Sequence, residues 1–145
     1  MGKTKYIQLP ISGAQEPAKT KVGEMHLKGM YKLAAVILPG ESKLIDFPSV
    51  KPEEHIHGMI DYMYPDDRGA ILVLLKIFAI VPKFFIVFIM HMVEAGAKWN
   101  GASGSVFRML QIALKGLIFT LYYSDFTEEK VIHGAIGYDA KVVWK

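Results

Sequence analysis

The residue types that perform chemistry are present in this chain but scattered. There are five histidines, His26, His55, His57, His91 and His133. Only His55 and His57 are close in sequence, and an i, i+2 pair shares a face on a strand; on a helix the two side chains point roughly 200° apart. The local pattern is helical, and no third ligand is spaced to complete a metal site. The histidines therefore read as surface or interface residues. Paired carboxylates occur at Glu53-Glu54, Asp66-Asp67 and Glu128-Glu129. Each pair falls near the start of a predicted helix, where the dipole stabilises negative charge without any acid–base role. The absence of cysteine excludes disulfides, thiolate-bound zinc, iron–sulfur clusters and attached c-type haem. No Gly-x-Ser-x-Gly elbow and no Gly-x-Gly-x-x-Gly turn is present. Gly101-Ala102-Ser103-Gly104 is too short for either, and Gly2-Lys3-Thr4 lacks the glycine-rich lead of a phosphate loop. The expectation is a chain with no catalytic, cofactor-binding or metal-binding residues of its own.

Two aromatic features remain, the Tyr122-Tyr123 pair and Gly137-Tyr138. Tyrosines bury area at low entropic cost and keep a polar tip, which suits an interface; packing inside the chain's own core explains them equally well. The 145 residues carry 17 Lys+Arg against 14 Asp+Glu, too even a balance for a dedicated nucleic-acid binder. At 52% hydrophobic residues the chain has enough apolar surface to fold rather than remain disordered.

The elements that must position these residues follow from hydrophobic spacing. Residues 1–22 hold dispersed lysines with no apolar run behind them and no Arg-Arg pair, so they read as an arm, mobile or laid on a partner, not as an export signal. Residues 23–145 read as one helical domain. Leu27, Met30, Tyr31, Ala34 and Leu38 recur at helical spacing over 24–38, and Pro39-Gly40 stops that helix. A loop over 41–48 precedes a helix over 51–64, with Pro52, Glu53 and Glu54 in its first turn and Ile56, Met59, Ile60 and Met63 as its stripe. Asp66 or Asp67 offers an N-cap for the next segment. After a loop at 97–105, Ser103 or Ser105 offers a cap for an amphipathic helix over Val106 to Tyr123. A short helical turn through Glu128 to His133 and an irregular tail follow. The fold class is all-α, an irregular bundle of five to six helices with an extended N-terminal arm.

The stretch from Ala70 to Val93 is the most apolar in the chain. As one helix it is long enough to cross a bilayer. Lys76 and Lys83 each oppose insertion by about 2.5–3.5 kcal/mol near the bilayer centre, and Pro82 removes a backbone hydrogen bond. The same stretch reads as two shorter helices, about 68–81 and 83–97, with Pro82 opening the second. A small integral membrane protein with one or two spanning helices, drawn from 70–93 and 106–123, is therefore one reading, and a packed or interfacial hairpin, meeting a membrane through 70–97, is the other.

One segment resembles a known family. Residues 107–139, FRMLQIALKGLIFTLYYSDFTEEKVIHGAIGYD, open a helix with an aromatic and an arginine, then run through Tyr122-Tyr123-Ser124-Asp125 to Ile136-Gly137-Tyr138-Asp139. This is similar to a pattern that accompanies glucose–methanol–choline (GMC) flavoprotein oxidoreductases, in the N-terminal extension of long-chain alcohol oxidases and in small proteins like subunit 3 of gluconate 2-dehydrogenase. The Ala34-Ala35-Val36-Ile37-Leu38-Pro39-Gly40 segment and the helix with Ile60-Asp61 fit the same layout. The resemblance implies an all-helical accessory subunit that binds no flavin and packs on a large subunit carrying FAD, which oxidises an alcohol. It points to Phe107, Arg108, Tyr122, Tyr123, Ile136, Gly137 and Tyr138 as partner contacts. With no export signal in residues 1–22, the expected location is the cytoplasm or the cytoplasmic face of the inner membrane.

Overall fold

The computed structural model describes residues 20–38, 40, 45–124, 131–135 and 137. The described residues form six α-helices, α1 (Glu24–Ile37), α2 (Pro52–Ile60), α3 (Pro65–Ile80), α4 (Lys83–Ala97), α5 (Gly101–Tyr123) and α6 (Val131–Ala135), with a 3-10 turn at Phe47–Val50 before α2. No strand occurs among the described residues, so the all-α class predicted from the sequence is the fold.

Most helix ends follow local chemistry. The Gly23 N–H donates to His26 Nδ1 at 2.9 Å, which satisfies a donor at the start of α1. Tyr64 is extended before Pro65, and Val81 is extended (ψ 147°) before Pro82, because proline excludes the α conformation from the residue ahead of it. The 70–93 stretch is consequently two helices that break at Val81-Pro82. Three expected boundaries shift. Asp66 and Asp67 do not cap α3 but sit in its first turn, because the helix already starts at Pro65. The α2 helix ends at Ile60, not at residue 64. The α5 helix starts five residues ahead of Val106, at Gly101, whose φ of +83° needs a glycine to reverse the chain out of α4. Ser105 therefore lies inside α5 and its hydroxyl donates to the Gly101 carbonyl at 3.2 Å.

Packing assembles these helices as two pairs. The α1 and α3 helices run parallel: Gly29 lies against the Leu75 carbonyl, and one turn on, Lys32 Nζ donates to the Ala79 and Val81 carbonyls at 2.8 and 2.9 Å. Those carbonyls are at the end of α3, where no intrahelical donor remains, so the lysine closes the helix. The α4 and α5 helices run antiparallel, with Gly96 under the Phe107 ring and Gly104 against the Trp99 carbonyl. Further along, Lys115 pairs with Glu94 at 2.6 Å. The α1 helix also touches α4 and α5, and α2 rests on α5. Between the pairs lies one core, in which Met30, Leu33, Ile56, Ile60, Leu75, Phe78, Ile86, Leu114, Ile118 and Ile132 are fully buried. An aromatic relay of Tyr31, Phe47, Tyr122 and Tyr123, with successive ring centroids 5.8, 6.3 and 5.0 Å apart, ties α1 and the 3-10 turn to α5.

Candidate functional site

The residues proposed from sequence as partner contacts divide sharply by position. Tyr122 is buried, and its hydroxyl donates to the Ile45 carbonyl at 2.5 Å, so it is an internal strut of the core. Tyr123 is half-buried against Tyr122 and Phe119, and its carbonyl accepts from His133 Nε2 at 2.9 Å. Phe107 is half-buried, edge-on to Trp99 at 5.6 Å and seated over Gly96. Arg108 is exposed but engaged: its Nη1 donates to the Ala97 and Trp99 carbonyls at 2.9 and 3.1 Å, and its Nη2 to Ser105 Oγ at 3.0 Å. It staples the α4–α5 turn. Gly137 is exposed, with a φ of +68° that favours glycine, while Ile136 and Tyr138 lie outside the described residues.

The unspent apolar surface lies elsewhere. On α3 the buried positions Ile71, Leu75 and Phe78 face α1, and Val73, Ile77 and Ile80 are exposed on the opposite side. On α4, Ile86, Met90 and Val93 are buried, and Phe84, Phe85, Phe88 and Met92 are exposed. On α5, Leu114, Leu117, Ile118 and Leu121 are buried, and Val106, Met109, Ile112 and Phe119 are exposed. These exposures are large: 73% for Ile80, 67% for Phe84 and 71% for Ile112. Scattered exposed apolar residues are normal on soluble proteins, whereas stripes repeated along consecutive helices mark a contact surface. A helix apolar on all sides needs cover on all sides, and the described residues cover only one side of each of the three.

Charge is equally one-sided. From residue 68 to residue 124 the cations are Arg68, Lys76, Lys83, Lys98, Arg108 and Lys115, and the only carboxylate is Glu94. Glu94 is held below the usual carboxylate range by the hydrogen bond and charge of Lys115. The other described carboxylates lie on the 24–67 half of the chain, where Glu53 accepts from the Tyr31 hydroxyl at 2.5 Å and Asp61 accepts from the Thr20 N–H at 2.9 Å.

Two further features have chemical potential. A cleft of about 190 Å3 opens between α1, α4 and α5, lined by Val36, Ile37, Val87 and Met90 together with His91, Glu94 and Lys115. Its charged groups satisfy one another through the Glu94–Lys115 pair. His26 is buried at the α1 N-terminus, where burial first and the charge of Lys76 second keep its pKa below the ordinary 6.5. Among the described residues no three His, Asp or Glu side chains are close enough to hold a metal ion. Compared with family models, with curated proteins and with solved structures, the chain matches none.

Sequence reasoning missed the role of three glycines. Gly29, Gly96 and Gly104 are the points of closest helix approach, and the signal for them was available only as glycine inside otherwise helical stretches. It also missed the outward stripes of α3 and α4, because the periodicity of a helix apolar on every side does not reveal which side is spent.

Proposed function

We propose that the chain is a non-catalytic accessory subunit that packs on and stabilises an FAD-dependent, GMC-type alcohol dehydrogenase or oxidase acting on a hydrophobic alcohol. The observation that carries this reading is the outer stripe of α5. Met109, Ile112 and Phe119 are exposed within the segment that carries the family resemblance, Val106 is exposed immediately before it, and the four lie on the outer side of α5. An exposed ridge of Met, Ile and Phe is the kind of surface that fills a groove on a partner and is depleted of the charges that would oppose its burial. Phe107 and Arg108 contribute indirectly: they fix α5 to α4 and so hold the ridge in place. The flavin resides on the large subunit in this reading, and none of the residues of this chain is assigned to it.

The test is co-expression with a GMC-type FAD subunit and affinity purification through a tag on this chain. A yellow complex with the flavin spectrum is expected, and Ile112→Asp or Met109→Asp abolishes it while leaving helical content intact. Recovery of the chain without flavoprotein, or of an unchanged complex with both variants, overturns the reading.

A second reading is a small integral membrane protein. It is favoured by α5, whose 23 residues are long and apolar enough to cross a bilayer by length and composition. Alkaline carbonate separates the two readings, because a spanning protein stays with the membrane and a peripheral one is released.

A further inference from the structure

The exposed stripes of α3 and α4 are left over after the α5 ridge has been assigned to a protein partner. The α3 stripe ends at Ile80, and the α4 stripe begins at Phe84, one short break later. Between Arg68 and Val93 there is no Asp or Glu. Lys76 neighbours Val73 and Ile80 on the helix surface, Lys83 opens α4 immediately before Phe84, and neither makes an ion pair among the described residues. Each stripe is thus aromatic or aliphatic, with an exposed lysine on the same helix and no anion from residue 68 to residue 93.

Helix length limits how such a surface can be covered. At 16 and 15 residues, α3 and α4 extend roughly 24 and 22 Å, less than the hydrocarbon core of about 30 Å. The α1 helix occupies the inner face of α3, and Lys32 anchors its C-terminal carbonyls. The pair cannot therefore cross a bilayer as one rod, but it can lie in the interface with its apolar side chains among the acyl chains and its lysines at the headgroups.

We infer that the outer face of α3 and α4 is a docking surface for an anionic lipid bilayer, with Phe84, Phe85 and Phe88 as the inserting residues and Lys76 and Lys83 as the headgroup contacts. The inference is independent of the flavoprotein, since the chain alone supplies the whole surface. Two forces act together. Apolar insertion supplies affinity for any bilayer, and each lysine near an anionic surface raises partitioning about fivefold and is sensitive to salt.

The experiment is vesicle flotation of the full chain, purified in mild detergent and then diluted out of it. One set of vesicles is phosphatidylcholine, and the other also contains phosphatidylglycerol. Binding is expected to be stronger to the anionic set by about 25-fold, the product of two lysines at about fivefold each. Bound protein is expected to be released by alkaline carbonate. The double variant Phe84→Ser, Phe88→Ser lowers binding to both sets, and Lys76→Glu, Lys83→Glu removes the preference for the anionic set. Lys76 and Lys83 are both exposed, so the charge variant tests the surface even if the aromatic variant folds poorly. Ile112→Ser keeps vesicle binding while weakening flavoprotein capture, which separates failure of this inference from failure of the accessory-subunit reading. Equal binding to neutral and anionic vesicles, no binding to either, retention after carbonate, or loss of vesicle binding when a flavoprotein is captured each overturns the inference; the last identifies a protein as the occupant.

Discussion

Replacing Gly29 with alanine should loosen the contact that turns the apolar stripe of α3 outward. A Cβ at this position would overlap the carbonyl carbon and oxygen of Leu75 and lie 3.1 Å from its Cα. These are backbone atoms in mid-helix, so no side chain can rotate away, and α1 and α3 must separate. Overpacking of this kind costs about 1–3 kcal/mol when side chains can adjust; with a rigid neighbour the upper end, about 3 kcal/mol, applies. Alanine returns roughly 1 kcal/mol through its helix propensity. The net loss of about 2 kcal/mol corresponds to a fall in Tm of roughly 4–8 °C for a chain of this size. Gly116 in α5 is the control, because a Cβ there meets nothing within 4 Å. Gly116→Ala should gain up to about 1 kcal/mol and melt roughly 2–4 °C higher. The assay is thermal unfolding followed by circular dichroism, under one set of conditions for all three proteins. If Gly29→Ala melts within about 1 °C of the wild type, or shifts upward with Gly116→Ala, the α1–α3 contact is not as close as described and the outward orientation of Val73, Ile77 and Ile80 loses its support.

Other consequences follow from single interactions. Because burial lowers the pKa of His26 below 6.5, protonation favours the unfolded chain: its contribution is complete above the unfolded pKa and is lost as pH falls through the folded one. Denaturant midpoints measured between about pH 8 and pH 5 should therefore decline more steeply for the wild type than for His26→Gln, which cannot protonate. Glu94 is depressed by Lys115, so that pair stabilises above the ordinary carboxylate pKa and fades as pH falls through the folded value. The side chains are 40% and 31% exposed, so Lys115→Met should cost only about 0.2–1 kcal/mol in denaturant unfolding. Tyr122→Phe should cost about 1–3 kcal/mol in the same assay, because it leaves the Ile45 carbonyl unpaired beside the core. Tyr31, whose pKa burial and Glu53 raise to about 12, should appear as a late component in an ultraviolet titration. Its contribution persists at high pH until the phenol ionises, and Tyr31→Phe should remove the late component.

Local sequence chemistry made the helices legible. Pro39, Pro65 and Pro82 fix chain breaks because the residue ahead of proline leaves the α region, and the acidic pairs at 53–54 and 66–67 fall in first turns as the dipole favours. The division of 70–93 at Pro82 was likewise readable, because the cost of a proline inside a helix is independent of what packs around it. The start of α5 was not readable from the serines: Gly101 adopts a positive φ only because α4 and α5 must pack back to back. The candidate surface was half legible. Composition shows an excess of apolar residues and a run from 68 to 93 without carboxylates, but Tyr122 and Phe84 are both aromatic residues near a helix end, and nothing local distinguishes the one that is buried from the one that is exposed.

What the sequence alone determined is therefore the all-α class, the chain breaks ahead of Pro65 and Pro82, and the segregation of charge along the chain, since these depend on φ restriction and composition within a few residues. Which stripe of each apolar helix is spent on the core was decided only in three dimensions. Gly29 and Gly104 let backbone approach, and Gly96 seats the Phe107 ring, where a Cβ would collide, and Lys32 and Arg108 bind carbonyls 9 to 49 residues away. Those long-range contacts bury one side of α3, α4 and α5, and by doing so define the other side as surface.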